Sequence, residues 1–232
     1  NRRVAFLLAT DVTTMTEKIF ETALGIAAPW YVAGVDLDAG ARTLTIRIDF
    51  VAGSRFAVPG EDGAHPVHDT VSKRFRHLNF FQHACPLEVR VPRVKRPDGA
   101  VRQVEPAWVG RLSGFTLLFE ALVLALCQQM TFTGVARLVN VSLHRVMAIC
   151  SHYVEQAVAE AGIEEVRSLA IDETARARGH DYVTGAPDAK RRAVIFVTEG
   201  RGAETIEALA ADLQAHGADP HAVASVSIDM SP

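Results

Sequence analysis

Ser168-Leu169-Ala170-Ile171-Asp172-Glu173 is a short apolar run that ends in two carboxylates, and Val223-Ala224-Ser225-Val226-Ser227-Ile228-Asp229 is another that ends in one. Between them, Tyr182–Thr184 and Ala193–Thr198 read as two further strands. Ala203–His216 carries Ile206, Leu209, Ala210 and Leu213 at helical spacing, followed by Gly217, a residue suited to the left-handed turn past a helix end. The predicted order is strand, strand, strand, helix, strand. Asp172 closes the first strand and Asp229 the last.

That order is the beginning of a ribonuclease-H-like fold, in which a mixed sheet sets the first and fourth strands side by side and brings two distant aspartates together. Paired carboxylates suit two-metal phosphoryl transfer. Hard oxygen ligands hold two Mg²⁺ ions about 4 Å apart, one activating the attacking hydroxyl and the other stabilising the leaving oxygen. Strand-end aspartates also serve as turn residues and helix caps. The expectation therefore rests on the pair and the strand order together, with Asp172 and Asp229 as candidate catalytic and metal-binding residues. Glu173 adjoins Asp172, but neighbouring strand residues point to opposite faces and do not serve one metal. Arg176, Arg178, Lys190, Arg191 and Arg192 flank the first strand and hairpin, where they either touch a substrate backbone or are solvated tip charges. No Walker loop, dinucleotide fingerprint or nucleophile elbow is present.

Upstream, Ser113 begins a helical pattern in which Phe115, Leu118, Phe119, Leu122, Val123 and Leu126 form an apolar face wide enough for a buried helix. Thr131–Ala157 fits a helix-turn-helix. Ala136 is the small residue at the helix contact, Asn140 tolerates a left-handed turn, and Val135, Val139, Val141, Val146 and Ile149 occupy packing positions. Ser142 is the predicted N-cap of the second helix, which leaves His144, Arg145 and His152 outward as candidate DNA contacts. An ordinary helical hairpin satisfies the same pattern.

The first 112 residues mix signals. Residues 15–26 read as a helix, and Thr43–Phe50 alternates as a half-buried strand. Residues 53–70 are loop-like, and extended pieces are expected at Phe75–Phe81 and Leu87–Val94, the latter demoted to an edge by Pro92. Net charge is −3, yet residues 71–111 hold nine basic and three acidic side chains. Such a segment faces a polyanion or is a solvated strand face, with Arg90, Arg93, Lys95 and Arg96 as candidate DNA contacts. Trp30, Tyr31, Trp108 and Phe115 are assigned to packing. Cys85, Cys127 and Cys150 form no CxxC pair, which argues against a disulfide framework and for a reducing cytoplasm. Phe115–Cys127, interrupted by Glu120, falls short of the roughly 20 residues that cross a bilayer, so no membrane partner is expected. The first fourteen residues, with Arg2 and Arg3 before a short apolar run, are read as an upstream extension rather than an export signal.

Several longer stretches then converge. Leu169–Glu173, Gly179-His180-Asp181-Tyr182-Val183-Thr184, Phe196-Val197-Thr198-Glu199-Gly200-Arg201 and Ser227–Pro232 resemble the bacterial insertion-sequence DDE transposases of the ISL group. So do Arg76-His77-Leu78-Asn79-Phe80-Phe81-Gln82-His83, Arg90-Val91-Pro92-Arg93-Val94-Lys95 and Ser113-Gly114-Phe115-Thr116-Leu117-Leu118-Phe119-Glu120. The resemblance runs from about Met15 to the last residue. It implies an α+β multidomain chain: an extension (1–14), a small basic β-rich module (15–112), a helix-turn-helix region (113–165) and an incomplete ribonuclease-H-like catalytic domain (166–232).

The implied activity is recognition of terminal inverted repeats in double-stranded DNA, with cutting and joining to target DNA by two Mg²⁺ or Mn²⁺ ions, as a homo-oligomer on DNA. Many such proteins carry a zinc ribbon in the N-terminal module, but the matching positions here are Val58, Glu61, Arg96 and Gly99, so no zinc is expected. His65, His68, His77 and His83 are read as surface or DNA-facing residues. A third carboxylate has no counterpart among the 232 residues, and the chain alone is expected to bind DNA without strand transfer. A non-catalytic repressor of transposition and an inert product are the other readings. Mg²⁺-dependent cleavage by the purified 232-residue chain would contradict this expectation.

Overall fold

The computed structural model describes residues 15–96, 98–112, 114–160, 162–177 and 181–228, apart from the side chains of Arg176 and Ala177. The chain divides into two compact units after Cys150. No helix among the described residues is long and apolar enough to cross a membrane.

In the first unit, residues 15–24 form helix α1. A six-stranded sheet follows: β1 (Trp30–Asp38), β2 (Thr43–Phe50), β3 (Arg55–Ala57), β4 (Ala64–Arg76), β5 (Pro86–Lys95) and β6 (Val101–Gln103). The strand order is β1-β2-β5-β4-β3, with β6 added to β5. Thr43–Phe50 alternates as expected, burying Leu44, Ile46, Ile48 and Phe50. The first three pack with Val32, Phe75, Leu87, Val89 and Val91 into one core. Trp30, Phe50 and Phe56 close one end, with ring centroids 5.2 to 5.6 Å apart.

Three strand expectations are corrected. Residues 53–70 contain β3 and half of β4 rather than a loop. The period of β4 is hidden because its half-buried positions include His65, Asp69 and Lys73, which bury their stems while their polar ends find charged partners. Phe75–Phe81 is not one extended piece: β4 stops at Arg76, and Phe80 and His83 exchange backbone hydrogen bonds across a turn with Phe81 at φ 51°. Pro92 does not mark an edge, since β5 lies between β2 and β4. The Pro92 carbonyl accepts from Val104 N–H on the β6 side. An N–H on the same residue would point the same way, past the end of β6, so its loss costs little. Tyr31, assigned to packing, is 38% exposed.

The three helices that follow the sheet start at side-chain caps. Thr116 accepts from Phe119 N–H to open α2 (Leu117–Cys127), and Thr131 accepts from Gly134 N–H to open α3 (Phe132–Val139). Asn140 is left-handed at φ 53°, and Val141 N–H returns to the Ala136 carbonyl. Ser142 Oγ then accepts from Arg145 N–H at the start of α4 (Leu143–Glu160). Val135, Ala136, Val139, Val146 and Ile149 are buried as the pattern requires. The face of α2 is narrower than expected: Phe119 and Val123 are buried, while Leu118 and Leu122 are exposed.

The second unit holds β7 (Ser168–Ala177), β8 (Asp181–Asp188), β9 (Ala193–Glu199), α5 (Ala203–Ala215) and β10 (Ser225–Ile228). Its sheet order is β10-β7-β8-β9, with β7, β8 and β9 antiparallel and β10 parallel to β7. Leu209 and Leu213 of α5 cover Leu169, Ile171 and Ala186. Strand β8 extends beyond Thr184 through Gly185-Ala186-Pro187-Asp188, residues of low strand propensity held by a neighbour on each side.

His77, expected at the surface, is buried beside Thr116, its Nδ1 2.9 Å from the hydroxyl. Burial, with the Arg76 charge adding to it, lowers its pKa from 6.5 to about 4. The unfolded chain therefore takes up this proton first as pH falls. Stability from this residue is complete above the unfolded value and drains away down to the folded one. Acidifying from pH 7 to pH 5 is expected to cost about 2 kcal/mol at this site. His77→Gln should remove that slope, which urea unfolding across the same range measures.

Candidate functional site

Asp172 sits mid-way along β7. Ile171 beside it is buried under α5, so Asp172 projects from the opposite face and is exposed. Thr174 Oγ1 donates to Asp172 Oδ2 at 3.3 Å. Across the antiparallel ladder its partner is Gly185, where an added Cβ would meet nothing within 4 Å. The floor beside the carboxylate is therefore open, and Gly185 is a feature that sequence reasoning missed. An isolated glycine between strand residues was the available signal. On the other flank, Ile171 pairs with Ile228 in the parallel ladder. These are the residues that precede Asp172 and Asp229. Asp229 itself lies outside the described residues.

The second candidate group gathers at the start of α4. His144 and Arg145 are exposed in its first turn. The Arg145 guanidinium lies 3.8 Å from the centroid of the buried Phe115 ring. Gly114, at φ 85°, faces the same guanidinium, and a Cβ there would stand 3.3 Å from it. The buried Phe115 also stacks on Phe119, centroids 5.0 Å apart. His152 is half-buried with its ring against Tyr153, eight residues on from His144 and so about 12 Å further along the helix axis. The structure thus joins His144 with Arg145 and sets His152 apart.

In the sequence Glu120 interrupts an apolar run and closes one of the stretches that carry the resemblance. It is fully buried, and its carboxylate accepts the backbone N–H groups of Arg111 and Leu112 at 2.9 and 2.8 Å. A Cβ on Gly110 would fall 2.4 Å from that carboxylate. The stretch Gly114–Glu120 therefore has a local logic: a left-handed glycine, a ring platform, a cap and an anchor for the preceding loop.

Both groups coincide with known family patterns. Residues 104–154 match the helix-turn-helix domain of transposase family ISL3, and residues 169–232 match the DDE transposase domain of the same family. The transposase for insertion sequence element IS1001 of Bordetella parapertussis is 30% identical over 166 residues, covering 71% of this chain and 40% of that protein. This chain carries a helix-turn-helix domain and a transposase domain of the ISL3 family. It spans well under half the length of that curated relative. No solved structure matches it.

In the basic segment, four of the nine cations are paired with carboxylates of the same chain. Arg90 Nε lies 3.0 Å from Asp49 Oδ1, with its guanidinium over the Phe50 ring. Arg93 grips Asp69 with both Nε and Nη2, which holds the Asp69 carboxyl below its usual range. Arg96 is paired with Glu61, and Lys73 with Glu105. Of the four predicted contacts in this module, Lys95 alone is exposed without a carboxylate partner among the described residues. The acidic partners come from other strands and loops, which a count along the sequence does not see.

Val58, Glu61, Arg96 and Gly99, the positions at which the resemblance led us to look for zinc ligands, fall on two turns. Glu61 N–H donates to the Val58 carbonyl, and Gly99 N–H to the Arg96 carbonyl. The Glu61–Arg96 ion pair ties one turn to the other, with His65 Nε2 3.1 Å from Glu61 Oε2 and Asp98 3.4 Å from Arg96. No group of three or more His, Cys, Asp or Glu is placed to hold a metal among the described residues. Cys85, Cys127 and Cys150 are free thiols, and burial raises Cys85 to about 11. Glu61→Gln is expected to lower the thermal unfolding midpoint, whereas EDTA should leave it unchanged. A midpoint that drops on chelation would point to a metal cross-link instead.

Proposed function

We propose that the chain recognises the terminal inverted repeats of an insertion element through residues 113–165 and contributes Asp172 and Asp229 to a two-metal DNA-processing site within residues 166–232. Residues 15–112 form the supporting β module, folded without zinc. The Glu61–Arg96 pair supports that, because it joins two turns at positions that offer no thiolate.

The observation that carries the catalytic half is the parallel pairing of Ile171 with Ile228, each the residue before a candidate aspartate. The order β9-β8-β7-β10, with α5 between β9 and β10 in the chain, supports a ribonuclease-H-like architecture. Asp172 and Asp229 offer the hard oxygen donors that Mg²⁺ or Mn²⁺ prefers. When bound, such ions supply Lewis-acid stabilisation of the attacking and leaving oxygens of phosphoryl transfer. Asp172 is oriented by Thr174, and Gly185 leaves the space beside it clear for a phosphate backbone.

The recognition half rests on the capped, left-handed turn at Asn140 and on the first turn of α4. Entry of that turn into a major groove presents His144 to base edges. The guanidinium of Arg145, steadied on Phe115, is presented to a base or a phosphate.

In an excision assay on the insertion element, with the change made in the element's own transposase gene, Asp172→Asn should abolish excision while repeat binding persists. His144→Ala and Arg145→Ala should each weaken repeat binding by about 1–3 kcal/mol relative to scrambled DNA. Wild-type excision by Asp172→Asn overturns the catalytic half. Undiminished discrimination in both α4 variants overturns the recognition half.

A further inference from the structure

Residues 151–232 carry seven basic and fourteen acidic side chains, yet three of the seven stand consecutively as Lys190-Arg191-Arg192. They occupy the four-residue loop joining β8 to β9, between the paired residues Asp188 and Ala193. The loop is rigidly seated. Asp188 is 3% exposed, and its Oδ1 accepts the N–H groups of Lys190 and Arg191 at 2.8 and 3.2 Å. Arg192 N–H returns to the Asp188 carbonyl at 2.8 Å, and Ala189 N–H bonds to the Ser168 carbonyl on β7. Arg191 touches Asp188 loosely, at 3.5 Å, and Lys190 and Arg192 are exposed with no ion pair among the described residues.

The cations are not what makes the turn. The β1–β2 hairpin is built the same way: Asp38 pairs with Thr43, Asp38 Oδ1 accepts from Ala41 N–H at 2.8 Å, and Arg42 is left-handed at φ 50° as Arg192 is at φ 56°. Its loop reads Ala39-Gly40-Ala41-Arg42, against Ala189-Lys190-Arg191-Arg192. A turn of the same build thus forms with glycine and alanine where β8–β9 has lysine and arginine. Positive charge at 190 and 191 is surplus to folding, and it sits on a unit whose net charge repels a polyanion. In the β module, by contrast, Arg90, Arg93 and Arg96 are engaged by carboxylates of the same chain.

We propose that the tip of the β8–β9 hairpin, Lys190, Arg191 and Arg192, is a contact for the phosphate backbone of duplex DNA, additional to the helix-turn-helix residues. Leu169, which pairs with Asp188 at the base of the tip, is three residues from Asp172 on β7, about 10 Å along the strand. At about 3.4 Å of rise per nucleotide, that is roughly three nucleotides from the Asp172 row. The contact reads charge rather than sequence. It rests on the reading of residues 166–232 as the DNA-processing unit, and it supplies that unit with a grip its net acidity otherwise denies.

The variant Lys190→Gly with Arg191→Ala copies the β1–β2 loop and preserves the fold, which an unchanged thermal midpoint verifies. The probe is a fluorescein-labelled 30-base-pair duplex of arbitrary sequence, titrated with the full chain in EDTA at several salt concentrations. The slope of log K against log salt should fall in magnitude by about 2, roughly one for each phosphate no longer engaged. Lys190→Arg should keep the wild-type slope. An unchanged slope in the glycine–alanine variant overturns the proposal. Because the assay uses neither metal nor repeat sequence, it is independent of the Asp172→Asn result. Excision abolished at Asp172 with no slope change refutes the hairpin alone, and a slope change with excision intact in Asp172→Asn refutes the catalytic reading alone.

Discussion

Strands β7 and β10 are joined edge to edge although their first residues are 57 positions apart, where Ser168 and Ser225 share a hydroxyl hydrogen bond of 2.8 Å. Parallel neighbours cannot be linked by a tight turn; the chain must leave the sheet and return across a face. Here the return is made by α5, whose Leu209 and Leu213 lie on Leu169, Ile171 and Ala186. That apolar contact makes the parallel pair worth forming, because it removes both the sheet face and the helix stripe from water. The opposite face of the sheet carries Asp172 and stays open. One packing decision therefore separates the face covered by α5 from the face on which chemistry is proposed.

Buried carboxylates recur as backbone anchors. Glu120 takes two N–H groups of the loop before α2, and Asp188 takes two at the β8–β9 tip. An ionised acceptor bonded to backbone donors makes stronger hydrogen bonds than a neutral one and offsets the cost of its own burial. Both anchors sit beside segments for which DNA contact is proposed: the Gly114–Phe115 platform beneath Arg145, and the cationic tip. Rigid loops of this kind position side chains without an ordering cost on binding.

Charge in the β module works differently. A run of nine basic residues against three acidic ones over 71–111 looks like a nucleic-acid surface. In the fold, Asp49, Asp69, Glu61 and Glu105 answer four of them. The Glu61–Arg96 pair also links the turn at Val58–Glu61 to the turn at Arg96–Gly99. Ion pairs at such half-exposed sites contribute modestly, so their structural effect here is mainly to set register between loops.

Periodicity and local chemistry alone determined the strand–strand–strand–helix–strand order of the second unit, the alternation of Thr43–Phe50, and the helix-turn-helix with its Asn140 turn and Ser142 cap. Each of these depends on residues within a few positions of one another, and hydrophobic spacing or a side-chain cap records that directly. The tertiary structure decided the rest. Strand β4 was illegible because His65, Asp69 and Lys73 interrupt its inward row of Val67, Val71 and Phe75, and the partners of Asp69 and Lys73 lie 24 and 32 residues away. Pro92 reads as an edge residue until β6 is seen to end beside it. His77 reads as a surface histidine until Thr116, 39 residues away, receives it. Which arginines remain available to DNA is likewise a question of where the carboxylates fall. These are long-range pairings, and a linear sequence states the partners without stating that they meet.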